Sequence, residues 1–133
     1  MEILITIITL SLLLFIGGIF WAQNKRKKFT SKQKSDFQKH WSRIKISTNY
    51  NQAILDADKL LDKALKIKGF TGTTGEKMKR ANPLFTHRNE VWAAHKLRNR
   101  IAHELNITIT EKQFKATLHQ FKTGLKDLGL NLK

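Results

Sequence analysis

Twenty residues in a row without a charge, Ile3 to Ala22, followed almost at once by Lys25-Arg26-Lys27-Lys28, limit what this chain can become more than any other feature. At about 1.5 Å per residue, a helix of that length covers roughly 30 Å of hydrocarbon. The stretch predicts a transmembrane anchor over residues 1–24. A cleaved export signal would open on positive charge and end on small residues, whereas this segment opens Met1-Glu2 and ends at Trp21 beside a basic cluster. Lysine and arginine mark the cytoplasmic flank of a span. The N-terminus is therefore expected outside and everything after residue 24 in the cytoplasm, as a single-pass protein of the cell membrane.

Beyond the anchor the chain is short and basic. It has 133 residues in all, with 25 Lys and Arg against 10 Asp and Glu, a formal charge of +15. That leaves room for one small domain and favours polyanionic partners, either nucleic acid or anionic lipid. Residues 25 to 45 hold nine of the cations and one acid, Asp36. Lys25, Arg26, Lys27 and Lys28 serve first as a topology signal and second as contacts for anionic headgroups, and the same charge is suited to gathering RNA. Residues 25–48 are read as a basic juxtamembrane segment with a first helix. The chain has no cysteine, which excludes disulfides and thiolate metal sites, and the histidines His40, His87, His95, His103 and His119 show no HExxH spacing. No metal and no cofactor is expected.

Past the tether the apolar periodicity is helical throughout. Phe37, Trp41 and Ile44 predict a helix from about Ser31 to Ser47. Tyr50, Ala53, Ile54, Ala57, Leu61, Ala64 and Leu65 predict a stronger one that stops at Gly69. Phe70 to Gly75 is turn-rich, but without a preceding strand or a GxxxxGK[ST] pattern it is a linker and not a phosphate cradle. Thr73 and Glu76 have capping-box spacing for a short helix through Arg80, which Pro83 ends; Leu84 and Phe85 are expected to plug the core. Another helix runs from Arg88 to about Leu105, with Val91, His95, Arg98, Ala102 and Leu105 on one stripe. For the last helix Thr108 and Glu111 have the cap spacing, Phe114, Leu118, Phe121, Leu125 and Leu128 form the apolar face, and Gly129 closes it. The expected fold is all-α: a transmembrane helix, then a cytoplasmic bundle of four main helices and a short one.

The chemistry is concentrated in Arg98-Asn99-Arg100-Ile101-Ala102-His103. A guanidinium binds phosphate bidentately, and an imidazole trades protons near neutral pH. Arginine on the packed side of its helix also needs a partner, and Asp58, at the edge of the second stripe between Ile54 and Leu61, is the candidate. A plain buried ion pair would account for both residues without catalysis.

HKLRNRIAHE, with arginine, a polar residue beside it and histidine after four intervening residues (Arg98, Asn99 and His103), resembles the signature of the HEPN family of small helical domains. The resemblance covers about Asn49 to Leu128 and frames residues 49–133 as a HEPN-like bundle with the motif on a late helix. It implies a metal-independent endoribonuclease of toxin or defence type, working as a homodimer, with Arg98, Asn99 and His103 as catalytic residues. Other members of the family imply nucleotide binding, an antitoxin-like protein partner, or an inactive scaffold. Two expectations therefore stand side by side: a membrane-tethered ribonuclease, and a noncatalytic helical module binding a protein, nucleotide or RNA at the membrane.

Overall fold

The computed structural model describes residues 1–24 and 27–133, with side chains described for 1–19 and 27–133. These residues are helical, without a strand among them: α1 (Glu2–Asn24), α2 (Ser31–Lys45), α3 (Tyr50–Ile67), α4 (Thr74–Ala81), a 3-10 turn (Asn82–Leu84), α5 (Arg88–His103) and α6 (Glu111–Asp127). Lys25 and Arg26, two of the expected headgroup contacts, lie outside the described residues.

α1 is long and apolar enough to cross a membrane, and none of its Glu2–Ile19 stretch is buried within the chain. It is therefore no core helix. The remaining elements bury their apolar faces against one another, with Phe37, Trp41, Ile54, Leu61, Leu65, Met78, Val91, Phe121 and Leu125 at the centre.

Helix ends are set by local chemistry. Thr30, Thr73 and Thr110 each accept a hydrogen bond from the backbone N–H three residues on, and Gln33, Glu76 and Gln113 reach back to the cap's own N–H. At the other end of α3 and of α6, Gly69 (φ 97°) and Gly129 (φ 108°) take the left-handed conformation. Phe70 N–H then donates to the Leu65 carbonyl and Leu130 N–H to the Leu125 carbonyl, the paired closure of a Schellman stop.

Three sequence expectations need correction. α6 is capped by Thr110 with Gln113, not by Thr108 with Glu111. The reason is Ile109: starting the helix two residues later leaves it at the position before the cap, where it is buried together with Phe114 four residues into the helix, as in a hydrophobic staple. α2 ends at Lys45 instead of Ser47. α5 ends at His103, short of Leu105, and Ala102 within its last turn no longer faces a packed neighbour; both are exposed, Leu105 at 91%. Phe85 plugs the core as expected, while Leu84 is only half-buried.

The chain reverses between α2 and α3 and again between α5 and α6, which sorts the residues into two ends. At one end Lys68 Nζ donates to the Lys27 carbonyl at 2.9 Å. Phe29 packs edge-on against Phe37 at 5.6 Å there, and its ring covers Gly129. Thr86, just before α5, donates through its N–H and its hydroxyl to Asp127 at the close of α6. At the opposite end Tyr50 stacks on Phe114 at 4.4 Å and Asn51 donates to the Ile107 carbonyl at 3.0 Å. The end that receives Lys27 is here termed the tether end; α5 runs from it toward the other, so His103 lies at the far end.

Candidate functional site around the RNRIAH helix

α3 supplies one carboxylate to this region and α5 supplies everything else. Asp58 sits on the face of α3 that also carries Ile54 and Leu61, and it is 2% exposed. A carboxylate so deep requires donors. His95 Nδ1 meets its Oδ1 at 2.7 Å, and Arg98 Nε lies 3.2 Å from its Oδ2. His95 and Arg98 are three residues apart and so adjacent on one side of α5.

The two contacts are of different kinds. His95 makes a hydrogen bond, whereas the buried Arg98 Nε is not aligned for one, so its attraction to Asp58 is electrostatic. The Arg98 side chain, at 29% exposure, reaches the surface and donates through one terminal nitrogen to Asn99 Oδ1 at 2.9 Å. Asn99 Nδ2 lies 3.3 Å from His95 Nε2.

The direction of this network follows from its ends. Arginine only donates and an ionised carboxylate only accepts. Arg98 thus fixes the Asn99 carbonyl toward itself, which turns the Asn99 NH2 toward His95 Nε2. With Nε2 facing that amide donor, the ring is set to donate from Nδ1 to Asp58. Trp92 holds the imidazole edge-on at 6.0 Å and is itself fixed by its Nε1–H donating to Asn82 Oδ1 at 2.8 Å.

His103 stands apart. It is the last residue of α5, exposed, and it makes no hydrogen bond or ion pair to the described residues. Five residues of α-helix rotate by roughly 140° beyond a full turn, so His103 and Arg98 point well apart around α5, while Asn99 and His103, four apart, share a stripe with His95. The structure thus brings Asp58, His95, Arg98 and Asn99 into one cluster and leaves His103 outside it. His95 was missing from the expected site; its spacing from Arg98 was the signal that both would face the same carboxylate. Arg100, inside the motif, pairs outward with Glu104 at 3.1 Å.

A second polar cluster lies one turn along α3. Asp62 accepts from Lys77 Nζ at 2.7 Å and from the Thr74 hydroxyl at 2.6 Å, tying α4 to α3 through a lysine that is almost wholly buried. Burial alone would raise the Asp62 pKa, yet the hydrogen bonds from Lys77 and Thr74 and the charges of Lys77 and Lys66 hold it below the usual carboxylate value. Of the basic tether residues, Lys27 and Lys28 are exposed. Among the described residues no three of His, Cys, Asp or Glu gather to hold a metal.

No protein-family model, no curated protein and no solved structure matches this chain. The likeness to HEPN domains therefore rests on HKLRNRIAHE and on the order of the helices.

Proposed function

We propose that this protein is a HEPN-like endoribonuclease, active without metal as a homodimer and tethered by α1 to the inner face of the cell membrane, with a four-helix core formed by α2, α3, α5 and α6. The observation that carries this reading is the division of labour along α5: Arg98 is gripped from beneath by Asp58 and from the side by Asn99 yet keeps part of its guanidinium at the surface, while His103 is exposed and unengaged. A guanidinium positioned by its neighbours costs little to organise around a phosphate.

The roles follow from chemistry. The 2′-oxygen of RNA attacks the adjacent phosphorus, the bond to the 5′-oxygen breaks, one proton leaves the nucleophile and another reaches the leaving group. Arg98 holds the phosphate and offsets charge growing on its oxygens. His103 transfers the proton, an effect worth about 10²–10⁴ in rate. Asn99 keeps Arg98 oriented. Since Arg98 and His103 of one chain diverge around α5, one phosphate is met by Arg98 of one copy and His103 of the other.

A second reading is supported by the same cluster. Asp58, His95, Asn99 and Arg98 satisfy one another, as an internal network of a noncatalytic module would, with the far end free to bind a protein partner of antitoxin type, a nucleotide or RNA. Incubating the full-length chain in detergent with mixed RNA and a chelator separates the two. The nuclease reading expects cleavage that His103→Ala abolishes; no cleavage by the wild type at any pH, or undiminished cleavage by His103→Ala, leaves the binding module.

A further inference from the structure

Lys27 is three peptide links from Asn24, the last residue of α1, so its Cα stays within about 11 Å of that helix end whatever path residues 25 and 26 take. From Lys27 onward the chain is fastened to the bundle. The Lys27 carbonyl accepts from Lys68 Nζ at 2.9 Å. Phe29 is 7% exposed, with Lys68 Nζ 5.2 Å from its ring centre. A membrane crossed by α1 therefore stays beside the tether end and not beside the far end.

The tether end is basic from three separate segments. Lys27 and Lys28 come from the connection, Lys66 from the last turn of α3 and Lys126 from the last turn of α6, all exposed. Carboxylates on α3 and α6 near this end are already engaged, Asp62 by Lys77 and Asp127 by Thr86; α2 adds Lys32 and one acid, Asp36. Lysine in a last turn also complements the helix dipole, which explains Lys66 and Lys126 one at a time. It does not explain why Lys27 and Lys28 share their end.

We propose that the tether end is a docking surface for the anionic headgroups of the membrane that α1 spans, so that the bundle stands upright with the RNRIAH segment turned away from the bilayer. This rests on the reading of α1 as a membrane span. The fifteen residues of α2 measure about 22 Å. The Debye length at physiological salt is about 8 Å, so lysines at the tether end feel the headgroup charge and the far end does not. Headgroups are preferred over nucleic acid as the occupant because the tether keeps them at high effective concentration. An RNA strand arriving at His103 is then spared repulsion from the anionic surface.

The chain contains no cysteine, so a single introduced thiol reports position. Full-length Ser31→Cys (tether end) and Leu105→Cys (far end), each carrying a donor dye, are placed in phosphatidylcholine vesicles with or without phosphatidylglycerol and with acceptor dye on the headgroups. Transfer from residue 31 should exceed that from residue 105 several-fold, and by more when phosphatidylglycerol is present. Combining Lys28→Glu, Lys66→Glu and Lys126→Glu, or raising salt to about 1 M, should bring the two sites together; the salt arm stands even if the triple variant loses helicity by circular dichroism. A chain that fails to float with the vesicles overturns the membrane span and the docking alike. A chain that floats but transfers equally from both sites, or shows the same difference with and without phosphatidylglycerol, overturns the docking alone. Loss of the difference on adding RNA would make the tether end a nucleic-acid surface instead.

Discussion

His95 changes what the arginine of the motif is worth to the fold. If Asp58 had Arg98 as its sole partner, truncating Arg98 would strand a buried charge at about 3–5 kcal/mol. Because His95 donates to the same carboxylate, Arg98→Ala is expected to cost only about 1–3 kcal/mol in urea denaturation, and Asp58→Asn, which still accepts from His95, a similar amount. His103→Ala, at an exposed and unengaged position, should stay within about 0.5 kcal/mol of wild type. A loss for His103→Ala as large as that for Arg98→Ala would mean that His103 belongs to the internal network. Asp62 provides the pH-dependent counterpart. Its folded pKa is lowered, so the stability it contributes is complete above the unfolded carboxylate value of about 4 and drains away as pH falls through the lowered folded value. The stability gap between wild type and Asp62→Asn should accordingly be widest near neutral pH and close on acidification. A gap independent of pH would show that Lys77 and Thr74 do not stabilise the ionised form. Of these residues, Asp58 was legible because an acid beside an apolar stripe has to be paired. His95, one turn before Arg98 on the same stripe, was legible as a hydrogen-bonded core or interface histidine, and it is buried and bonded as such; which acid it would share was not legible, since a histidine among apolar neighbours has many ways of being satisfied.

Helices were legible where their apolar period met a clear stop, and misread where two starting caps competed. The Tyr50 to Leu65 stripe ends at Gly69, and the Phe114 to Leu128 stripe ends at Gly129; both glycines take the left-handed conformation that such a stop requires. The start of α6 offered two threonines at cap spacing, Thr108 before Glu111 and Thr110 before Gln113. Cap spacing alone does not distinguish them, because the choice is made by burial of Ile109 and by Asn51 holding the Ile107 carbonyl, both of them tertiary effects. Thr110→Ala should therefore cost about 1 kcal/mol, whereas Thr108→Ala should be close to neutral. Equal losses in thermal unfolding would mean that the two caps are used interchangeably. α5 was overrun for a related reason. Ala102 and Leu105 keep the period of the helix, but the packed surface beneath it has already ended at Arg98 and Ile101, which are only half-buried. Periodicity tells which face of a helix is apolar; it does not tell where the neighbouring surface stops.

At the scale of the whole molecule, charge and connectivity matter more than any single contact. The tether enters at one end of the bundle and α5 delivers His103 to the other, so in the proposed membrane-docked orientation two copies on one membrane would present their RNRIAH segments at the same height and free of the bilayer. That placement favours pairing through a shared two-fold, in which each copy gives and receives the same contacts. It also makes the composite site testable by mixing. Arg98→Gln and His103→Ala chains should each be inactive alone. Co-assembled at equal amounts, half of the dimers are heterodimers, and each of these regains one of its two sites, with Arg98 from the His103→Ala chain and His103 from the Arg98→Gln chain. Cleavage of RNA should then return to about a quarter of the wild-type rate, the statistical value for closed two-fold assembly. If both variants fold, wild type cleaves, and the mixture stays inactive, Arg98 and His103 must serve the same phosphate from one chain. The roughly 140° between them around α5 would then have to be bridged by their side chains, without the second copy.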